Sequence, residues 1–260
     1  MVRAKKKYGQ NFLIDQSVLK KIINIINPQV TDEIVEIGPG LGSMTFPIID
    51  KTKQCIDVIE IDPEMITFLQ NSEYSKKINI HAFDILKVKD SFFNKFNKII
   101  GNLPYYISSD ILIKICKINK SNKKIYFMLQ KEVAERISSP PGQKIYGRLS
   151  IILQYFYVVE KLLDVPPSSF KPVPKVFSSI VELTPKDNHK IKIINFENFE
   201  KLTRLAFSQK RKTLKNNFRN ILSETDLKLL DIDPQKRPET LSVEEYVCIE
   251  NYMDNNKIKI

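Results

Sequence analysis

The sequence predicts an α/β protein in two parts: an open sheet of parallel strands joined by helices, then a small all-helical domain. Three observations carry this. Short apolar runs alternate with helical patterns through the first half of the chain. The ends of these runs collect glycines, acids and one Asn-Leu-Pro-Tyr turn, where open α/β sheets gather ligand-binding residues. After Leu183-Thr184-Pro185 the apolar spacing becomes helical and stays so.

A basic arm, Arg3, Lys5, Lys6 and Lys7, leads through Gly9-Gln10-Asn11-Phe12-Leu13 into a helix from Ser17 to Ile26. That helix is apolar at Val18, Leu19, Ile22, Ile23 and Ile26, with Asp15 or Ser17 as its cap. Asp32 to Ile37 reads as the first parallel strand and runs into Gly38-Pro39-Gly40-Leu41-Gly42. Strand, glycine turn and helix form a nucleotide-binding arrangement, because glycines let a ligand approach the backbone closely. The spacing is G-x-G-x-G rather than the G-x-G-x-x-G of dinucleotide folds, and no G-K-[ST] of a P-loop follows.

Cys55 to Ile61 reads as the second strand and ends in Glu60-Ile61-Asp62. Glu60 stands about 20 residues after the glycines, where an acid accepts hydrogen bonds from a ribose diol. Asp62-Pro63-Glu64 then opens a helix with an N-cap and a first-turn proline. The third strand, Ile78 to Ala82, is followed by Asp84, placed to accept a hydrogen bond from an adenine amino group, and by Ile85, an apolar side chain able to pack on the ring.

Lys98-Ile99-Ile100 reads as the fourth strand and delivers Gly101-Asn102-Leu103-Pro104-Tyr105-Tyr106, with a helix starting at Ser108-Ser109-Asp110. Asn102-Leu103-Pro104-Tyr105 has the residue types needed to methylate an exocyclic amine. The Asn102 oxygen and a neighbouring backbone carbonyl can accept both amino hydrogens and turn the nitrogen lone pair toward an electrophile. Tyr105 offers a face for stacking, and Pro104 stiffens the turn. By itself the tetrapeptide also fits an ordinary strand-to-helix turn.

The 260 residues include 41 Lys and Arg against 30 Asp and Glu, a formal charge of +11. This favours a polyanionic partner, nucleic acid before membrane, although a generally lysine-rich composition gives the same sum. Three scattered cysteines and two histidines support no disulfide framework, metal site or histidine triad, and a reducing cytosol fits. No apolar run approaches the roughly 20 residues of a membrane span, and the basic arm lacks the apolar segment of a secretory signal.

Taken in order, Glu36-Ile37-Gly38-Pro39-Gly40, Glu60-Ile61-Asp62, Asp84 and Asn102-Leu103-Pro104-Tyr105 resemble the motifs of S-adenosylmethionine-dependent N6-adenine methyltransferases. Gly9 to Leu13, Gln130 to Arg136, Tyr146 to Ser150 and Val165 to Pro172 with Pro174-Lys175-Val176 resemble the ribosomal RNA adenine dimethyltransferase family. The likeness runs from Tyr8 to about Phe218. It implies a Rossmann-like methyltransferase domain over residues 1–186 and a helical RNA- or ribosome-binding domain over 187–260. Asn11, Leu13, Gly38, Gly40, Glu60, Ile61, Asp84, Ile85 and Asn102 would hold S-adenosylmethionine. Asn102, Leu103, Pro104 and Tyr105 would form the reacting turn, and Phe170 would close over the adenine opposite Tyr105. A cofactor without phosphate accounts for the missing phosphate-binding lysine, and Glu36, Glu60 and Asp84 suit its sulfonium.

Lys210, Arg211, Lys212, Lys215 and Arg219 form a basic cluster expected to grip RNA phosphates, though such a run alone also reads as a solvated helix face. The resemblance further implies two adjacent adenines near the 3′ end of small-subunit RNA, each dimethylated, with a pre-assembled small subunit as partner, a monomeric enzyme and a cytoplasmic setting. Two rivals share the early motifs: a large-subunit adenine methylase of the macrolide-resistance type, and a non-catalytic nucleic-acid-binding transcription factor on this scaffold.

Overall fold

The apolar runs form strands, the first three one to three residues shorter than the sequence pattern and the fourth two residues longer. In the computed structural model, which describes residues 5, 9–118, 123–186, 191–209 and 211–260, β1 (Phe12–Leu13) precedes α1 (Gln16–Ile26). The Asp15 carboxylate caps α1 by accepting from the Ser17 and Val18 N–H groups, and the five expected apolar residues are its buried face. Then come β2 (Ile34–Ile37), α2 (Thr45–Thr52), β3 (Ile56–Ile59), α3 (Pro63–Gln70) and β4 (Ile78–His81). Every residue of β2 and β3 is buried, as parallel strands covered on both faces require. Asp62 caps α3 and Pro63 opens it, as the sequence predicts.

Next are β5 (Lys98–Asn102), α4 (Ser108–Ile115), β6 (Lys124–Gln130), α5 (Lys131–Ser138), α6 (Arg148–Phe156), β7 (Tyr157–Val165), β8 (Phe170–Lys171) and β9 (Ser178–Pro185). Seven strands make one sheet in the order β4-β3-β2-β5-β6-β9-β7. Pairs from β4 through β6 are parallel, and β9 runs antiparallel to β6. The chain builds outward from β2 to β4, then returns to place β5 on the other side of β2. That reversal opens a crevice at the strands' C-terminal ends, where open α/β sheets bind ligands.

Gly101 makes the crevice possible. It sits opposite Ile37 in the β2–β5 register, and a Cβ there would lie 2.7 Å from the Ile37 carbonyl oxygen. Only glycine lets the two strand ends approach so closely.

Phe170 departs from expectation. In β8 it pairs with Leu13 of β1, an alignment continued by the Ile14 N–H donating to the Ser169 carbonyl. Its side chain is 1% exposed and belongs to the same apolar cluster as Leu13, Val165 and Ile180. Alternation along the strand turns Lys171 outward and Phe170 inward. The ring is therefore a core residue here and is not among the side chains that line the pocket.

The compact units divide after Pro185, one residue from the expected boundary, but an earlier segment also goes to the second unit. One comprises Met1–Ala134 with Val158–Pro185, the other Glu135–Tyr157 with Lys186–Ile260. The second contains α7 (Phe196–Ala206), α8 (Leu214–Phe218), α9 (Glu224–Leu229) and α10 (Val243–Asn255). Helix α6 joins them because it is apolar nearly all round: Leu149, Ile151, Ile152, Leu153 and Tyr155 are buried. The Tyr155 ring lies 5.6 Å from that of Phe199, and Arg148 pairs with Glu200 at 2.6 Å. Within this unit Leu202, Phe218, Leu227 and Tyr246 are fully buried. Buried Glu250 accepts from the Ile194 and Asn195 N–H groups at the start of α7. No described helix is long and apolar enough to cross a membrane.

Candidate active site

One pocket opens at the crevice, and each strand end contributes to it. Glu36, Gly38 and Gly40 come from the β2 end, Glu60 and Ile61 from β3, Phe83, Asp84 and Ile85 from β4, and Asn102 to Tyr105 from β5. Gln10, Asn11, Phe12 and Leu13 form a further wall. The structure thus brings together all of the expected cofactor and reacting-turn residues, with Phe170 the exception. Of the expected RNA cluster, Arg211, Lys212 and Arg219 are exposed and Lys215 is half-buried in an ion pair with Glu224 at 3.3 Å. Lys210 lies outside the described residues, as do Arg3, Lys6 and Lys7 of the arm.

Acid dominates the chemistry of the walls. The Glu60 carboxylate is 7% exposed; Oε1 accepts from the Ile61 and Asp62 N–H groups at 2.8 and 2.9 Å. Oε2 has a single longer bond, 3.3 Å from the Gly40 nitrogen, and keeps acceptor capacity for a ligand. Burial pushes the carboxyl of Glu60 up, against the pull of these backbone donors. Glu36 is deeper, with the Thr45 hydroxyl donating to it at 2.5 Å. Burial pushes it up to about 7; the Thr45 bond opposes that and the Glu60 charge adds to it. Among the described residues lining the pocket there is no lysine, arginine or histidine. That set of acceptors suits a ligand carrying hydroxyls and positive charge, and is a poor match for a phosphate.

Asp62 ties the N-terminal wall down. Fully buried, it accepts from Gln10 Nε2 and Lys5 Nζ, each at 2.8 Å. Burial pushes its carboxyl up, but the bonds from Lys5, Gln10 and the Glu64 N–H outweigh that and hold it low. The Asn102 amide nitrogen donates to the Asn11 carbonyl at 3.0 Å, which leaves Oδ1 as the free end. The Leu103 N–H is taken up by the Met128 carbonyl. Tyr105 follows in a single 3-10 turn, its hydroxyl 2.6 Å from that of Ser178. The sequence marks Asp62 only as a helix cap and does not mark Thr45 or Ser178; Asp62 and Ser178 act through partners remote in the chain, and Thr45 through Glu36 nine residues before it. Gln10 is legible only as part of the Gly9–Leu13 motif.

A switch-point crevice with acid-tipped strands and an Asn-Leu-Pro-Tyr turn defines a methyltransferase of the α/β class. Comparison with known proteins gives the family. The model of the family described as "Ribosomal RNA adenine dimethylase" matches residues 1–255, and the chain belongs to that family. It is 41% identical over 251 residues to the ribosomal RNA small subunit methyltransferase A of Neisseria meningitidis, covering 96% of each chain. With the protein of the same name from Legionella pneumophila it shares 44% over 252 residues, covering 96% of this chain and 98% of the other. Among solved structures, a dimethyladenosine transferase from Plasmodium falciparum superposes with a TM-score of 0.80 at 29% identity, covering 95% and 98%. The 23S rRNA methyltransferase ErmE is alike in fold, with a TM-score of 0.65 at 21% identity over 94% and 100%.

Proposed function

We propose that the pocket binds S-adenosylmethionine and that the Asn102–Tyr105 turn presents an adenine N6 to it, so that two adjacent adenines near the 3′ end of small-subunit ribosomal RNA are dimethylated. The observation that carries this is the Asn102 amide: it lines the pocket with its nitrogen committed to Asn11, which leaves its oxygen as the acceptor for a ligand. The family and the names of the 41% and 44% identical relatives support the small-subunit target. The macrolide-resistance reading has support only from a fold likeness at 21% identity.

The donor supplies a methyl group on a positively charged sulfur. Glu60 would accept from its ribose hydroxyls and Asp84 from its adenine amine, with Ile61 and Ile85 packing on the ring. The buried acids Glu36 and Glu60 compensate the positive charge. Asn102 Oδ1 and a backbone carbonyl of the turn accept the two amino hydrogens and aim the lone pair. The target base must leave its stack, at a cost of about a few kcal/mol. Stacking on Tyr105 returns about 1–3 kcal/mol of that. Alignment supplies most of the acceleration, and the proton released from the methylated amine leaves to water or toward Asn102.

The exposed Arg211, Lys212 and Arg219 would bind phosphates, and the net positive charge suits a partner as large as a pre-assembled small subunit. A monomer acting in the cytoplasm completes the reading. The test is incubation with labelled donor and small ribosomal subunits, followed by mapping of the methyl groups. Label on N6 of paired adenines near the 3′ end supports the assignment; label on large-subunit RNA, or none, refutes it.

A further inference from the structure

We propose that Ser178 is a positioning residue for Tyr105: its hydroxyl holds the phenol so that the ring stands as a fixed plate for the target base. This rests on the base-methylating reading of the pocket. Tyr105 opens a single 3-10 turn between β5 and α4. Its backbone end is secured, because the Ser108 hydroxyl donates to the Tyr105 carbonyl at 3.1 Å. Ring orientation needs a second point, and the 2.6 Å approach of the two hydroxyls supplies it at the far end.

The anchor itself is firm. Ser178 is fully buried, opens β9 and pairs with Gln130 of β6. Its neighbour Ser179 turns to the other side of the pleat and donates to Asp164 Oδ1 at 2.6 Å. Asp164 is in turn paired with Lys131 at 2.8 Å and Lys161 at 3.3 Å. These bonds from Lys131, then Ser179, hold the Asp164 carboxyl down at about 2, so the tether is ionised at working pH. The plate is therefore referenced to the sheet, not to a loop, which is how a site keeps a stacking surface at a set distance from a reacting atom. Of the two rings expected to hold the base, Phe170 is buried and Tyr105 lines the pocket, beside Phe12, Phe83 and Tyr106.

A double-mutant cycle separates positioning from mere satisfaction of a buried hydroxyl. Ser178→Ala, Tyr105→Phe, the double variant and Ser178→Thr are compared in single-turnover methyl transfer, donor affinity and thermal melting. Ser178→Ala and Tyr105→Phe should each slow transfer about five- to tenfold, the worth of one hydrogen bond. The double variant should be no slower than the slower single, donor affinity should be unchanged, and Ser178→Thr should restore the rate. A 2-aminopurine at the target position should be brighter in complex with Ser178→Ala, since a loose ring quenches it less. Additive losses in the double variant, or a lowered melting temperature with an unaltered rate, overturn the proposal. An inactive wild-type protein defeats the pocket reading and this proposal together; an active wild type with an equally active Ser178→Ala defeats this proposal alone.

Discussion

Asn102 Nδ2 lies 3.0 Å from the carbonyl oxygen of Asn11, a residue 91 positions earlier in the chain. This bond commits the nitrogen end of the amide, and it joins the Asn102–Tyr105 turn to the N-terminal wall of the pocket. One side chain thus couples the two halves of the site.

Asn102→Ala should lower methyl transfer by about 100-fold or more, the scale seen when a preoriented polar group at a reacting centre is removed. The fold should survive, because Asn102 is only half-buried and the neighbouring Leu103 N–H keeps its bond to Met128. Single-turnover rates set beside melting curves check this. Full activity in the variant would remove Asn102 from the chemistry.

Glu36 gives the protein a pH signature. Its carboxyl is pushed from 4.5 to about 7 chiefly by burial, so the folded state prefers the protonated form. The stability linked to it is fully present below pH 4.5 and is lost as pH rises through about 7. A shift of that size corresponds to about 3–4 kcal/mol, at roughly 1.36 kcal/mol per pH unit. Glu36→Gln should match wild type near pH 4 and melt at a higher temperature near pH 8. On the proposed function, donor affinity should move the other way, weakening in the variant at pH 8, where wild type carries a negative charge in the pocket. Identical melting profiles across pH 5–8 would mean that Glu36 does not titrate in that window.

Gly101→Ala tests the closeness of β2 and β5. The added methyl meets a backbone oxygen at 2.7 Å, which no rotamer change relieves. Strain of this kind costs about 1–3 kcal/mol. Because the same two strand ends carry Gly38 and Asn102, donor affinity should fall along with the melting temperature. A variant that melts and binds like wild type would show that the strand ends part without cost.

Phe170→Ala should act on stability first. Emptying a core site of this size costs about 3–5 kcal/mol, whereas Phe170→Leu should be tolerated much better. Denaturant unfolding measures both. If Phe170→Ala instead kept wild-type stability and lost only methyl transfer, the ring would have to reach the base after all.

Most of the sheet is legible because parallel strands covered on both faces write themselves as apolar runs, and α1 and α3 because Asp15 and Asp62 mark their starts. The pocket is legible for a related reason: Gly38, Glu60, Asp84 and Asn102 each stand at or just past a strand end, so local pattern places them. What stays hidden depends on pairing between distant segments. Nothing local says that Phe170 sits opposite Leu13, that α6 belongs with α7 and α10, or that Ser178 meets Tyr105. A phenylalanine in an extended, proline-rich stretch reads the same whether its ring faces a pocket or a core. Register decides which, and register is set by the partner strand.

The basic cluster of the helical unit makes the last prediction, and the structure sharpens it. Lys215 is drawn to Glu224, so part of its charge is already compensated, whereas Arg211, Lys212 and Arg219 are exposed. Removing one phosphate-bound cation should flatten the dependence of log affinity on log salt by about 0.7–0.9. Replacing Arg211, Lys212 and Arg219 with alanine should therefore weaken binding to ribosomal RNA and reduce the slope by about 2–3, while Lys215→Ala should change it little. Donor affinity should stay at the wild-type value in both variants, since none of these residues lines the pocket. Titration of RNA binding at several salt concentrations reads the slope directly. An unchanged slope in the triple variant would assign the phosphates to other lysines of this basic chain, and a large change with Lys215→Ala alone would mean that RNA displaces Glu224 from its partner.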